Sequence, residues 1–181
     1  MTNELVEKQD INKLDQMVKK DGLYDALEQS DKIILLDFSG SMDSMFDDKE
    51  LFRHLIDAVK GYEGEYTMIK FNDGAKIIEC LENEKTGGST NLTDALKLAY
   101  SQKAAEYIVV SDGLPDSKAE SLAYALDNKM IINTIFMGDN PVGIEFMKTL
   151  ANMTGGKSSD IKLLAGFGRM LEKTIKGLIE G

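Results

Sequence analysis

The sequence predicts an α/β fold, a Rossmann-like, doubly wound, mostly parallel sheet with helices on both faces. Three observations carry that prediction. Short apolar runs alternate with amphipathic helical segments along most of the chain, the pattern of successive strand–helix–strand units. The runs 33–37 (IILLD) and 107–111 (YIVVS) are continuous rather than alternating, as in strands covered on both faces. An Asn72-Asp73-Gly74 turn joins two strand-like segments, 66–71 (YTMIKF) and 76–81 (KIIECL), which reads as a hairpin with one antiparallel edge strand.

The elements follow in order. Residues 1–30 read as a helical N-terminal extension, with Leu5, Ile11, Leu14, Met17 and Val18 on an amphipathic helix and a shorter helix around 23–27. After the first strand, 47–60 is expected to be helical, with Leu51, Phe52, Leu55, Ile56 and Val59 on one face and Gly61 at its end. Beyond the hairpin and the Gly87-Gly88 loop, a helix runs from Leu92 to about Ser101. The strand 107–111 precedes a helix over 117–129, where Ser117 and Glu120 stand at capping-box spacing. A strand over 130–137 leads to a helix over 143–152, stopped by Thr154-Gly155-Gly156. A last helix over 163–179 carries Leu164, Phe167, Leu171, Ile175 and Leu178 on one stripe. There is no internal repeat or Pro-rich linker, so 31–181 reads as one domain behind the extension.

Composition narrows the chemistry. The chain has 181 residues, 31 acidic against 21 basic, and a formal net charge of -10. Its only arginines are Arg53 and Arg169, so the clustered positive charge that binds a phosphate backbone is missing and no nucleic-acid partner is expected. Cys80 and His54 are the sole cysteine and histidine, which excludes an intrachain disulfide, a Cys-based zinc cluster and multi-histidine metal sites. No apolar run approaches the ~20 residues that span a bilayer, so no membrane association is expected. The polar, acidic N-terminus resembles neither a secretory signal nor a transit peptide, which makes a cytoplasmic location the expectation.

What remains is oxygen chemistry. In a parallel α/β sheet, sites form at the C-terminal ends of strands, near the reversal of strand order. Three loops here carry oxygen donors: Asp37-Phe38-Ser39-Gly40-Ser41, Gly87-Gly88-Ser89-Thr90-Asn91 and Asp112-Gly113. Brought together, Ser39, Ser41, Thr90, Asp37 and Asp112 make a hard, all-oxygen set suited to Mg2+, Mn2+ or Ca2+ rather than zinc or copper.

These residues carry a family resemblance. DFSGS resembles the D-x-S-x-S signature of von Willebrand factor A (vWA) domains, their metal-ion-dependent adhesion site, or MIDAS. GGSTNLTDAL is similar to the family segment that carries the threonine ligand, here Thr90, and VVSDGLP to the strand ending in Asp-Gly-x-Pro that supplies the second aspartate, here Asp112. FMGDNPVGIEFMKTLANMTGG resembles the late strand and helix before the last edge strand, so the resemblance covers about 31–181 with all five ligand positions filled. It implies a six-stranded sheet in the order 3-2-1-4-5-6 with one antiparallel edge strand. It also implies Mg2+ as cofactor, with Mn2+ or Ca2+ as substitutes, near Ser39, Ser41 and Thr90, while Asp37 and Asp112 act directly or through water. The implied function is non-enzymatic: an intracellular module whose protein partner completes the cation's coordination with an Asp or Glu carboxylate. The setting it implies is a bacterial or phage assembly, with a larger ATPase or assembly complex as partner.

Other readings were weighed against this one. A hydrolase or phosphotransferase on the same oxygens would use Asp37 as nucleophile, but such sites generally want a second carboxylate two positions on, where Ser39 stands. An esterase elbow, Gly-x-Ser-x-Gly, is ruled out around Ser39 because Asp37 and Ser41 occupy both glycine positions. Gly156-Lys157-Ser158 lacks the first glycine of a phosphate loop, which would fall at Ala151, and follows a helix rather than a strand. A metal-free scaffold acting through its N-terminal helices is the third class. Asp43, Asp47, Asp48 and Glu50 read as favourable charge at a helix N-terminus, or as a rim selecting cations and basic partners. His54 reads as a solvated surface residue opposite the apolar stripe, Cys80 as a small apolar strand residue, and the ten methionines as core filler.

Overall fold

A computed structural model of the chain describes residues 32–181, so the expected helical extension over 1–30 lies outside the described residues. Six strands form the main sheet: β1 (Lys32–Asp37), β4 (Thr67–Phe71), β5 (Ala75–Ile78), β6 (Glu106–Ser111), β7 (Ile132–Met137) and β8 (Ser158–Ile161). They lie in the order β5-β4-β1-β6-β7-β8, all pairs parallel except the antiparallel β4–β5. Counted along the sheet, this is the expected 3-2-1-4-5-6 arrangement with one antiparallel edge strand. β1 therefore sits at the reversal point, between β4 and β6.

Five α-helices cover the sheet among the described residues: α1 (Leu51–Val59), α2 (Leu92–Ser101), α3 (Lys118–Asp127), α4 (Pro141–Thr154) and α5 (Phe167–Glu180). Alternation along β1 divides the core. Ile34 and Leu36 join Leu55, Val59, Leu171 and Ile175 on the α1–α5 side. Ile33 and Leu35 join Leu96, Ala99, Met147 and Leu150 on the α2–α4 side. All of these side chains are buried, and each large one is worth ~1.5–3 kcal/mol of transfer free energy. No helix among the described residues is long and apolar enough to cross a membrane.

Local chemistry sets the helix ends. Asn91 caps α2 by accepting from the Asp94 amide at 3.1 Å. Asn140 caps α4, with Pro141 in its first turn and Gly155 closing it in the left-handed region at φ 80°. The capping box expected at Ser117 does not form: Ser117 occupies the N-cap of α3, but its side chain makes no capping hydrogen bond.

The largest departure from the sequence reading is at 45–50. The expected helix over 47–60 begins only at Leu51. Before it, β2 (Met45–Phe46) and β3 (Lys49–Glu50) pair as a two-stranded ribbon, with Asp47 and Asp48 in its turn at φ 49° and 60°. Aspartate tolerates this left-handed region, as the tight turn requires. Asp47 and Asp48 are therefore a hairpin tip rather than a helix N-terminus, whereas Glu50 does stand at the N-cap of α1. The hairpin also alters His54, which is half-buried rather than solvated. Its Nε2 lies 3.2 Å from the Phe46 carbonyl, and its ring meets Phe167 edge-on at 5.3 Å. Cys80, expected within a strand, lies exposed beyond the end of β5.

Candidate metal centre

The five candidate residues stand at one end of the sheet, at the reversal point. Asp37 closes β1 and is fully buried. The Ser39 amide turns back to donate to Asp37 Oδ1 at 2.8 Å, which starts the 3-10 turn over Gly40–Asp43. That turn brings Ser41 Oγ to 3.1 Å from Ser39 Oγ. The Ser41 hydroxyl is also 2.8 Å from Asp112 Oδ1, to which it donates from across the gap between the β1 and β6 loops. Ser39 and Thr90 are buried, whereas Ser41 is exposed and Asp112 half-buried, so the cluster opens to solvent on the Ser41–Asp112 side.

Gly113 shows how closely the donors gather. A Cβ placed on it would lie 3.3 Å from Ser41 Oγ, 3.7 Å from Thr90 Oγ1 and 3.9 Å from Asp37 Oδ2. Hydroxyls from two loops and the β1 carboxylate thus face one small space, kept clear because residue 113 has no side chain. Of the two adjacent hydroxyls in the Gly87–Asn91 loop, Thr90 is the one that faces this space. Ser89 turns away, its amide donating to Asp73 Oδ1 at 2.8 Å.

Electrostatics point the same way. Burial pushes the Asp37 carboxyl up to about 6; hydrogen bonds from Ser111 and Ser39 offset part of that rise, and the charge of Asp112 adds to it. Asp112 is also raised, by burial first, with the Ser41 hydroxyl opposing. No lysine or arginine contributes to either shift. Among the described residues, two carboxylates are therefore held together with hydroxyls and without a protein counter-charge. A small hard cation fits this donor set, because it supplies the missing charge and binds oxygen. No three of His, Cys, Asp and Glu gather into a metal-holding group among the described residues; the donors here are three hydroxyls and two carboxylates.

The surroundings are acidic as well. Asp43, Asp73 and Asp116 are exposed on the loops that carry or adjoin the cluster, Asp47 and Asp48 at the tip of the β2–β3 hairpin, and none of them joins an ion pair among the described residues.

Sequence reasoning assigned no role to Ser111, or to Gly113 within the Asp112-Gly113 loop. Ser111 donates to Asp37 Oδ2 at 2.5 Å and accepts from the Gly113 amide at 3.1 Å, so it holds both the carboxylate and the gap. The signal for it lay in the strand register: β1 and β6 pair up to Leu36 and Val110, so the next residues, Asp37 and Ser111, stand side by side.

No family profile matches the sequence, and no curated protein matches it either. Among solved structures, the crystal structure of the SpRpn10 VWA domain superposes with a TM-score of 0.63 at 12% identity, over 79% of this chain and 93% of that one. An uncharacterized membrane-spanning protein from Vibrio fischeri aligns over 81% of this chain and 98% of its own at 17% identity; its TM-score of 0.32 carries no weight. The sheet order, the antiparallel edge strand and the SpRpn10 likeness agree. Residues 32–181 have the Rossmann-like α/β fold of a vWA domain.

Proposed function

We propose that this domain is a divalent-cation-dependent protein-binding module. Ser39, Ser41 and Thr90 would hold Mg2+, with Asp37 and Asp112 balancing its charge; Mn2+ or Ca2+ suit the same oxygens. When bound, the cation supplies an open coordination position that an Asp or Glu carboxylate of a partner protein completes. The observation that carries the reading is the convergence of Ser41 Oγ, Thr90 Oγ1 and Asp37 Oδ2 on the space beside Gly113, where no cationic side chain among the described residues shifts the carboxylates.

The residues divide the work. Asp37, buried and tied to Ser39 and Ser111, acts as a fixed negative charge behind the donors. That burial also argues against Asp37 as an attacking nucleophile, since a substrate would have no approach to it. The Ser41–Asp112 side is the mouth through which a partner carboxylate would enter. The unpaired aspartates around it favour a partner that presents one carboxylate from a neutral or basic surface. We place the module in the cytoplasm, where an exposed single thiol such as Cys80 stays reduced, as an adaptor to a larger ATPase or assembly complex.

The test has two arms. In thermal or chemical unfolding of the full chain, Mg2+ at ~100-fold over its dissociation constant should add ~2.7 kcal/mol, and Asp112→Ala should lose that gain. Affinity capture from native lysate should then retain a partner with Mg2+ and release it with chelator. Identical captured proteins under both conditions and with Asp112→Ala would sink the proposal.

A further inference from the structure

The segment that carries Thr90 has no secondary structure of its own: residues 79–91 form neither helix nor strand. Its position is imposed from neighbouring loops. The Gly87 amide donates to the Phe38 carbonyl at 2.9 Å, and the Gly40 amide donates to the Gly88 carbonyl at 3.1 Å. Those two bonds tie the glycines to the β1 loop. The next two residues are held by carboxylates.

Asp73, in the turn after β4, accepts the Ser89 amide at 2.8 Å. Asp116, in the loop after β6, accepts the Thr90 amide at 3.2 Å and returns its own amide to the Thr90 carbonyl at 3.0 Å. The Asp116–Thr90 contact is therefore reciprocal and fixes the backbone of Thr90 on both sides. Gly88 makes the Asp73 contact possible. It sits at φ 79°, and a Cβ on it would fall 2.4 Å from the nearer carboxylate oxygen of Asp73. The Ser89 amide and hydroxyl hold the Asp73 carboxyl below the usual carboxylate range, so it stays ionised and the bond stays charge-assisted.

We propose that Asp73 and Asp116 are the positioning residues of the cation site: by gripping the amides of Ser89 and Thr90 from two other loops, they fix the Thr90 hydroxyl beside Gly113 and so set cation affinity without being ligands. This inference rests on the cation-binding reading above. Partners of this kind, one bond removed from the ligands, typically change metal affinity by ~10–100-fold when lost.

The rival account is that these aspartates act only through their negative charge near the cation. Paired substitutions separate the two. Asparagine removes the charge but keeps a side-chain oxygen that accepts an amide; alanine removes both. In a titration of the full chain with Mn2+, followed by electron paramagnetic resonance of the free ion, Asp116→Ala and Asp73→Ala should weaken binding by about tenfold or more. Asp116→Asn and Asp73→Asn should stay near wild type. Unfolding in chelator checks that each variant folds, and since the two positions are tested independently, a failure to fold at one leaves the other pair to decide. Alanine variants that bind Mn2+ like wild type overturn the positioning role, and so do asparagine variants as weak as the alanine ones. A wild-type chain that binds no Mn2+ overturns the cation reading itself and takes this inference with it.

Discussion

The Ser111 hydroxyl donates to Asp37 Oδ2 at 2.5 Å, across the β1–β6 pair at the reversal point of the sheet. The bond keeps a fully buried carboxylate in place with a neutral donor rather than a cation. A buried carboxylate held in this way costs stability whenever it is charged.

That cost has a sign and a pH window. With a folded pKa near 6 against an ordinary 3.8, Asp37 contributes stability below the ordinary value and loses it as pH rises through about 6. Above that window the ionised form costs on the order of 3 kcal/mol, at ~1.36 kcal/mol per pKa unit. In chelator, Asp37→Asn should therefore be more stable than wild type by about 2–3 kcal/mol near neutral pH, and the difference should shrink toward about pH 4. Urea unfolding across that range tests this. Curves that stay parallel at every pH would contradict it.

Gly113 is the second test. Valine there puts carbon into the space shared by Ser41, Thr90 and Asp37, where even a Cβ falls 3.3 Å from Ser41 Oγ. Because the position lies at the mouth and not in the core, Gly113→Val should alter unfolding in chelator by less than about 1 kcal/mol. The same substitution should abolish the Mg2+-induced shift in melting temperature.

Gly156 should behave in the opposite way. A Cβ there would fall 2.0 Å from the Ile132 carbonyl oxygen, a contact no rotamer can relieve. Gly156→Ala should destabilise the domain by about 1–3 kcal/mol or more. The response of the folded fraction to Mg2+ should survive, because this contact lies at the start of β7, the opposite end of that strand from the cluster.

The hairpin formed by β2 and β3 is held through Phe46, whose ring meets Phe167 edge-on at 5.5 Å and lies 6.3 Å from the His54 ring. Removing Phe46 should cost about 1–3 kcal/mol, from buried area and the lost ring contact. Hydrogen exchange should locate the change at 45–50 and in the first turn of α5. Exchange that stays at wild-type rates in both segments would show that the hairpin is held by other contacts.

These elements also show where sequence was enough. The apolar runs of β1, β6 and β7 and the Asn72-Asp73-Gly74 turn gave the sheet and its antiparallel edge, because burial on both faces and tight turns leave local signatures. The five candidate residues were legible as oxygen donors on strand-end loops. The hairpin at 45–50 was not. Asp47 and Asp48 look like helix-start charge, and only their left-handed backbone makes them a turn. His54 was misplaced for the same reason: the face opposite the α1 stripe would be solvated if that hairpin did not cover it. Asp73 reads as an ordinary turn residue and Asp116 gives no signal in the sequence, since their role depends on which loops become neighbours in the folded sheet.

The loop aspartates that join no ion pair among the described residues have a kinetic consequence. At physiological ionic strength a field from fixed charges decays over ~8 Å, so these carboxylates act only on what has already come near the mouth. Under the proposed function, divalent ions would be concentrated there ahead of univalent ones, and an approaching partner would be turned so that its positive side leads. The association rate should therefore fall as salt is added, while the lifetime of the complex, set by contacts inside the Debye length, should change much less.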